Sequence, residues 1–236
     1  MKFGVIVFPG SNCDDDMVHV LGDVLGQNVV KIWHKSQELP AGFTTEDCIV
    51  LPGGFSYGDY VRAGAIAQFS PVMKAVKAHA AAGGYVFGVC NGFQILCESG
   101  LLPGVLLRNS GQQFICDNIW IKTVTNLSPI TEGLEIGKAL KIPIAHAEGR
   151  YFADEKTLDA LEQNNQVLFR YCDAQGHESE GSNPNGASRN IAGICNEGRN
   201  VFGMMPHPER ASEAVLDNTD GRGLFDSLLA SAGITA

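Results

Sequence analysis

The chain has 236 residues, 44% of them apolar, which allows one large domain or two small ones and predicts a sizeable packed core. Lysine and arginine number 17 against 26 acidic residues, a formal charge of −9 that argues against a broad grip on nucleic acid or anionic lipid and leaves small molecules and proteins as the expected partners. Seven scattered cysteines, with no Cys-x-x-Cys pair, predict a reducing compartment and neither a disulfide framework nor a zinc site.

The first apolar run, residues 3–8, reads as a strand and is too short for the core of a signal peptide. No later run approaches the ~20 apolar residues of a membrane helix, so a soluble, cytoplasmic protein is expected. Residues 14–25 follow as a helix, with Met17, Val20, Leu21, Val24 and Leu25 at three- and four-residue spacing behind acidic residues suited to a helix N-terminus. Residues 29–33 and 48–51 are short apolar runs with little alternation, the pattern of strands buried on both faces of a parallel sheet. A second helix, 71–82, stops at Gly83-Gly84, and 85–89 is a further strand. Strands and helices alternating in this way predict a parallel α/β sheet.

The second half changes character. Residues 113–117 and 119–124 read as two adjacent strands, 139–145 as another, 155–161 as a helix, and 166–172, 190–195 and 201–205 as strands, the last two joined by a turn at 196–199. The polar, Gly/Asn/Ser-rich stretch 173–189 reads as a surface loop, and 221–232 as a closing amphipathic helix. The predicted fold is an open, mostly parallel sheet flanked by helices, with an antiparallel or mixed extension in the C-terminal half, in one domain of residues 1–236.

Chemistry concentrates at Gly88-Val89-Cys90-Asn91-Gly92, between a buried strand and a helix that takes Phe93, Ile95, Leu96 and Cys97 as its apolar positions. A nucleophile flanked by small residues on a strand-to-helix turn is what a nucleophile elbow requires, because larger neighbours would collide in the strained turn. The following helix N-terminus favours a thiolate, and the Asn91 N–H points where an oxyanion would form. The alternative is a small buried cysteine in a tight turn; glycine on both sides favours the nucleophile.

A thiol nucleophile needs a base, and the base an orienting acceptor. His207 lies in Pro206-His207-Pro208-Glu209-Arg210, just past a strand. In an extended segment residues two apart face the same way, so Glu209 is placed to hold one imidazole nitrogen while the other faces Cys90. The bland alternative is a rigid surface turn. Pro52-Gly53-Gly54 ends the strand 48–51 and lets the backbone present a free N–H, so Gly54 and Asn91 are the candidate oxyanion donors. Cys48, Cys97, Cys116 and Cys195 lie in apolar runs and are expected in the core; Cys13 stands in a polar loop, where exposure is expected.

The elbow cysteine, the glycine pair and the His-Pro-Glu, in this order and context, resemble the triad-type, or class I, glutamine amidotransferases, a flavodoxin-like α/β family. Finer wording extends the resemblance from residue 9 to residue 210: Pro9-Gly10-Ser11-Asn12-Cys13-Asp14, Gly53-Gly54-Phe55-Ser56-Tyr57-Gly58-Asp59-Tyr60, Arg62-Ala63-Gly64-Ala65-Ile66-Ala67, Phe93-Gln94 after the elbow, Ala145-His146 with Glu148-Gly149-Arg150, and Asn183-Pro184-Asn185-Gly186. Together these are similar to the free-standing glutaminase subunits that serve one synthase of purine biosynthesis.

The resemblance implies that the chain hydrolyses L-glutamine to glutamate and ammonia through a Cys90 thioester, with His207 and Glu209 completing a triad. It implies a larger, ATP-using synthase subunit that turns formylglycinamide ribonucleotide into the amidine, and a small accessory subunit. No cofactor is expected in this chain; ATP and magnesium are expected on the partner, in keeping with the lack of any Walker-type loop here. By position in the family pattern, Gly53, Gln94, His146 and Gly149 should bind the substrate. Gln94 stands four residues past Cys90, on the same helical face, where an exposed polar residue is the competing reading. Arg62 and Arg150 are placed to meet either the substrate carboxylate or the partner surface. Rival readings are a glutaminase serving another synthase, a general thiol hydrolase, or a non-catalytic docking relative, the last of which would lack the nucleophile or the base.

Overall fold

The apolar runs pair as their lack of alternation predicts. In a computed structural model, which describes residues 1–234, the strands are β1 (Lys2–Val7), β2 (Asn28–Trp33), β3 (Cys48–Leu51), β4 (Tyr85–Val89), β5 (Val105–Leu107), β6 (Ile115–Thr123), β7 (Ala139–His146), β8 (Arg150–Phe152), β9 (Val167–Cys172), β10 (Ile191–Cys195) and β11 (Val201–Met204). The helices are α1 (Asp14–His19), continued by a π-helical turn over Val20–Val24, α2 (Val72–Ala81), α3 (Asn91–Glu98), α4 (Glu155–Gln163) and α5 (Arg222–Ser231). Among the described residues no helix is long and apolar enough to cross a membrane.

Nine strands form one sheet in the order β2-β1-β3-β4-β11-β10-β9-β6-β7. Pairing is parallel from β2 to β11 and antiparallel from β11 to β7. β3 is buried along its whole length, as a central strand covered on both faces must be. The helices cover the sheet with Met17, Val76, Phe93, Leu96, Leu224 and Phe225, all buried.

Three features differ from the sequence-based expectation. Residues 115–123 form one continuous strand where two were expected. Its first half pairs only with β7, and β9 joins from Trp120 onward, so Asp117 and Asn118 stay exposed in the strand without breaking it. β5 and β8 form a separate two-stranded ribbon that was not expected; Tyr151 of β8 stacks on Phe93 with ring centroids 6.0 Å apart and ties the ribbon to α3. The loop 173–189 is not wholly a surface feature, because Asn185 is fully buried.

Candidate active site

Because β1, β3, β4 and β11 run parallel, their carboxyl ends meet along one edge of the sheet. The antiparallel steps through β10, β9 and β6 bring β7 back in the same direction, so its end joins them. The sheet's direction of growth reverses between β1–β2 and β3, the kind of switch point at which ligands of open α/β sheets bind. Cys90, Gly53-Gly54, His207-Glu209 and His146 all stand on this edge.

Cys90 joins β4 to α3 with φ 51° and ψ −106°, a conformation that costs a non-glycine residue on the order of 1–3 kcal/mol. The glycines on either side are sterically required. A Cβ on Gly88 would come within 2.7 Å of the Gly92 backbone, and one on Gly92 would strike the Leu51 carbonyl. The Cys90 N–H donates to Met204 O at 2.8 Å, locking the elbow to β11, and its thiol lies 3.8 Å from Ala145 O.

His207 is set by its N–H donating to Pro143 O at 2.8 Å. The segment after it is not extended, as the sequence led us to expect. Pro208 opens a 3-10 turn, Pro208–Ala211, for which its fixed φ is suited, and the turn curls Glu209 back onto the imidazole. Nδ1 donates to Glu209 Oε1 at 2.6 Å with both side chains buried. Burial by itself would lower the His207 pKa; the Glu209 carboxylate and the neighbouring Cys90 sulfur outweigh it and raise it to about 10. Nε2, left free by that bond, has no hydrogen-bond partner among the described residues.

Asn91 opens α3, so its N–H has no acceptor in the preceding turn. Its side chain is committed: Oδ1 accepts from Ser56 N at 3.1 Å, and Nδ2 donates to Gln94 Oε1 at 2.9 Å and to Asp59 Oδ1 at 3.3 Å. Gly54 has φ +132°, and a Cβ there would lie 2.6 Å from Asn12 N, so only glycine fits the turn. Gly54 borders the same cavity as Cys90, and Asn91 is the residue that follows Cys90 at the start of α3.

That cavity has a volume of about 250 Å³ and is walled by Gly54, Phe55, Asp59, Cys90, Gln94, His146 and Glu148, among others. Gln94 is buried with Nε2 donating to Glu148 O at 2.6 Å, so it holds the 146–150 loop in place as well as lining the wall. His146 is buried, and its burial together with the charge of His207 lowers its pKa to about 4. Gly149 lies behind the His146 ring and not on the cavity wall, and Gly53 packs against the back of His207. Arg62 is taken by a two-pronged pair with Glu98 at 2.6 Å, and Arg150 does not reach the cavity.

Two acids that no sequence pattern singles out belong to the cavity wall. Asp59 and Glu148 face the cavity, and burial, with the Glu148 charge, raises the Asp59 pKa to about 6. Both lie inside motifs quoted above, and nothing in their spacing distinguishes them from loop carboxylates. Two cysteines also lie elsewhere than expected. Cys116 is exposed, on the open half of β6, and Cys13 is buried. Cys13 is pushed up to about 12 by that burial, and its sulfur accepts from Arg210 Nη2 at 3.0 Å. Cys13, His207 and Glu209 place ligand-capable atoms within 4.8 Å of one another. The Arg210 guanidinium already holds the Cys13 sulfur, and the His207–Glu209 hydrogen bond joins the other two side chains.

A family model described as a CobB/CobQ-like glutamine amidotransferase domain matches residues 1–223. Over 229 residues the chain is 56% identical to the phosphoribosylformylglycinamidine synthase subunit PurQ of Alkaliphilus metalliredigens, covering 97% of this chain and 96% of that one. It is likewise 56% identical to the protein of the same name from Koribacter versatilis, with 97% of each covered. Among solved structures it matches a chain of the Thermotoga maritima PurLQS structure with a TM-score of 0.83 and 39% identity over 97% of both chains. The glutaminase domain of Trypanosoma brucei CTPS with bound acivicin, at TM-score 0.60 and 12% identity over 100% of this chain and 95% of that one, shares the fold.

Proposed function

The chain belongs to the CobB/CobQ-like glutamine amidotransferase family, and from that premise we propose that it is the glutaminase subunit of a phosphoribosylformylglycinamidine synthase. It hydrolyses L-glutamine to glutamate and ammonia. A large partner subunit uses the ammonia, with ATP and magnesium of its own, to convert formylglycinamide ribonucleotide to formylglycinamidine ribonucleotide, and a small accessory subunit completes the complex. The free thiols and the absence of a membrane-length helix among the described residues support a cytoplasmic setting.

The observation that carries this reading is the strained Cys90 elbow, which borders the cavity and neighbours the buried His207–Glu209 pair. His207 Nε2 takes the thiol proton, and its raised pKa favours that transfer. Sulfur attacks the carboxamide carbon, and the oxyanion meets the N–H groups of Gly54 and Asn91. His207 returns the proton to the leaving nitrogen, ammonia departs, and a γ-glutamyl thioester remains. Water, deprotonated by the same imidazole, then releases glutamate. Asp59 and Glu148 give the cavity a negative wall suited to the α-ammonium group, and Gln94 and His146 complete the enclosure.

In the assembled synthase, Cys90→Ala should cut glutamine-dependent amidine formation by roughly 1,000-fold or more while ammonia-dependent formation stays within about twofold, because the second reaction never uses the thiol. Equal loss of both activities would overturn the assignment.

A further inference from the structure

His146 and Asn109 fix each other's protons. Asn109 Nδ2 donates to two carbonyl oxygens, Gln113 O at 2.8 Å and His146 O at 2.9 Å. Its Oδ1 accepts from the backbone N–H of Gly149 at 3.0 Å. A carbonyl cannot donate and a peptide N–H cannot accept, so the amide has one orientation. The same Oδ1 lies 3.1 Å from His146 Nδ1, and that contact is a hydrogen bond only when Nδ1 carries the proton. The ring is buried beside His207 and stays neutral, so Nε2 is a bare acceptor. It is buried and meets no hydrogen-bond partner among the described residues, although the ring borders the cavity that holds Cys90.

His146 stands at the reacting end of that cavity. It directly follows Ala145, whose carbonyl faces the Cys90 sulfur, and Pro143 on the same strand accepts the His207 N–H. A buried acceptor without a protein partner calls for a donor from water or ligand, and one whose ring borders the substrate cavity is placed to take it from the substrate. A glutamine carboxamide at Cys90 turns its oxygen to Gly54 and Asn91 and has two N–H bonds to place. Glutamate at the same position offers only oxygen lone pairs, which the Nε2 lone pair repels.

We propose that His146, held as the Nδ1–H tautomer by Asn109, accepts a hydrogen bond through Nε2 from the carboxamide N–H of glutamine and thereby selects the amide over the acid. This deepens the glutaminase reading and rests on it. His146 moves no proton in the reaction; it orients the leaving nitrogen and disfavours return of the product.

The test compares substrates that differ only at the leaving group, using the assembled complex. For His146→Ala, kcat/KM for glutamine should fall by roughly 10- to 100-fold. Turnover of L-glutamate γ-methyl ester, which has no N–H at that position, should stay within about threefold, and inhibition by glutamate should tighten. His146→Gln, which keeps an acceptor, should retain most of the preference for the amide. A parallel fall of amide and ester turnover, or no change in either, would overturn the proposal. Failure of the unsubstituted complex to turn over glutamine at all would instead overturn the glutaminase reading and this proposal with it. Imidazole 15N spectra of the Cys90→Ala chain give a second measurement that does not alter His146. Nδ1 should be protonated and Nε2 bare, and glutamine should shift Nε2 where glutamate does not; a protonated Nε2 would refute the assignment.

Discussion

His207 Nδ1 and Glu209 Oε1 lie 2.6 Å apart, two residues from each other in sequence and both shut away from solvent. The acceptor holds the Nδ1 proton and turns Nε2 toward Cys90, where it keeps the proton taken from the thiol at neutral pH. His207→Ala should lower glutamine-dependent turnover by roughly 1,000-fold, and Glu209→Gln by roughly 10- to 100-fold, since an orienting group supports the base without receiving its proton. Stability should report the same pair. A histidine raised from 6.5 to about 10 in the folded state contributes stability that is complete below pH 6.5 and lost as pH rises through about 10. The melting temperature should therefore decline between pH 6.5 and about 10 in the unsubstituted chain and be flatter in Glu209→Gln. A steeper decline in the variant would contradict the coupling.

Gly53 packs closely against that imidazole. A Cβ at this position would sit 2.6 Å from His207 Cε1 and 3.3 Å from both His207 Nδ1 and Cys13 Sγ. The ring has nowhere to retreat, because its backbone is tied to Pro143 and Nδ1 to Glu209. Gly53→Ala should lower kcat by about 10- to 100-fold with KM for glutamine within about twofold, the signature of a displaced base in an intact cavity. A rise in KM alone would place Gly53 in substrate binding instead.

The parts of this site that sequence reveals are those where local chemistry has few solutions. An elbow needs glycine at 88 and 92 because the backbone of one turn passes through the space of the other, and the pattern survives without any tertiary information. The central strands are readable for a similar reason, since burial on both faces removes alternation. What stays hidden depends on distant partners. Cys13 sits among polar residues, yet Arg210 and His207, almost two hundred positions later, close over it. Asn109 and Asn185 stand in stretches whose composition spells a loop, and both are fully buried because they satisfy backbone groups. No periodicity encodes that. The three-residue strands β5 and β8 are too short to show a period at all.

Asn185 donates to Gly149 O at 2.8 Å and to Tyr171 Oη at 3.1 Å, and accepts from Ala187 N at 3.0 Å. Asn185→Ala would leave these groups without partners in a dry site, at a cost of about 1–3 kcal/mol in urea unfolding. Gly149 backs the His146 ring, so KM for glutamine should rise as well. A loss of stability below ~0.5 kcal/mol would mean that the 183–190 loop is not integral to the core.

Asp59 links folding to substrate binding through pH. Burial, reinforced by Glu148, raises its pKa from 3.8 to about 6, and Asn91 Nδ2 opposes the shift only weakly from 3.3 Å. A carboxyl raised in this way makes the folded state bind the extra proton between pH 3.8 and about 6, so its ionisation costs stability as pH rises through that window. The ionised form is nevertheless the one that attracts an α-ammonium group. KM for glutamine should therefore increase as pH falls through about 6 in the unsubstituted complex. In Asp59→Asn, KM should be raised by about 10-fold at neutral pH and lose this dependence, since a charge-assisted contact is replaced by a neutral one. The same variant should be at least as stable as the unsubstituted chain at pH 7, because it no longer holds a poorly solvated charge beside Glu148. Glutamine titrations at pH 5.5 and 7.5, run alongside thermal melts, separate the two effects; an unchanged KM with raised stability would show that the carboxylate faces the cavity without touching the substrate.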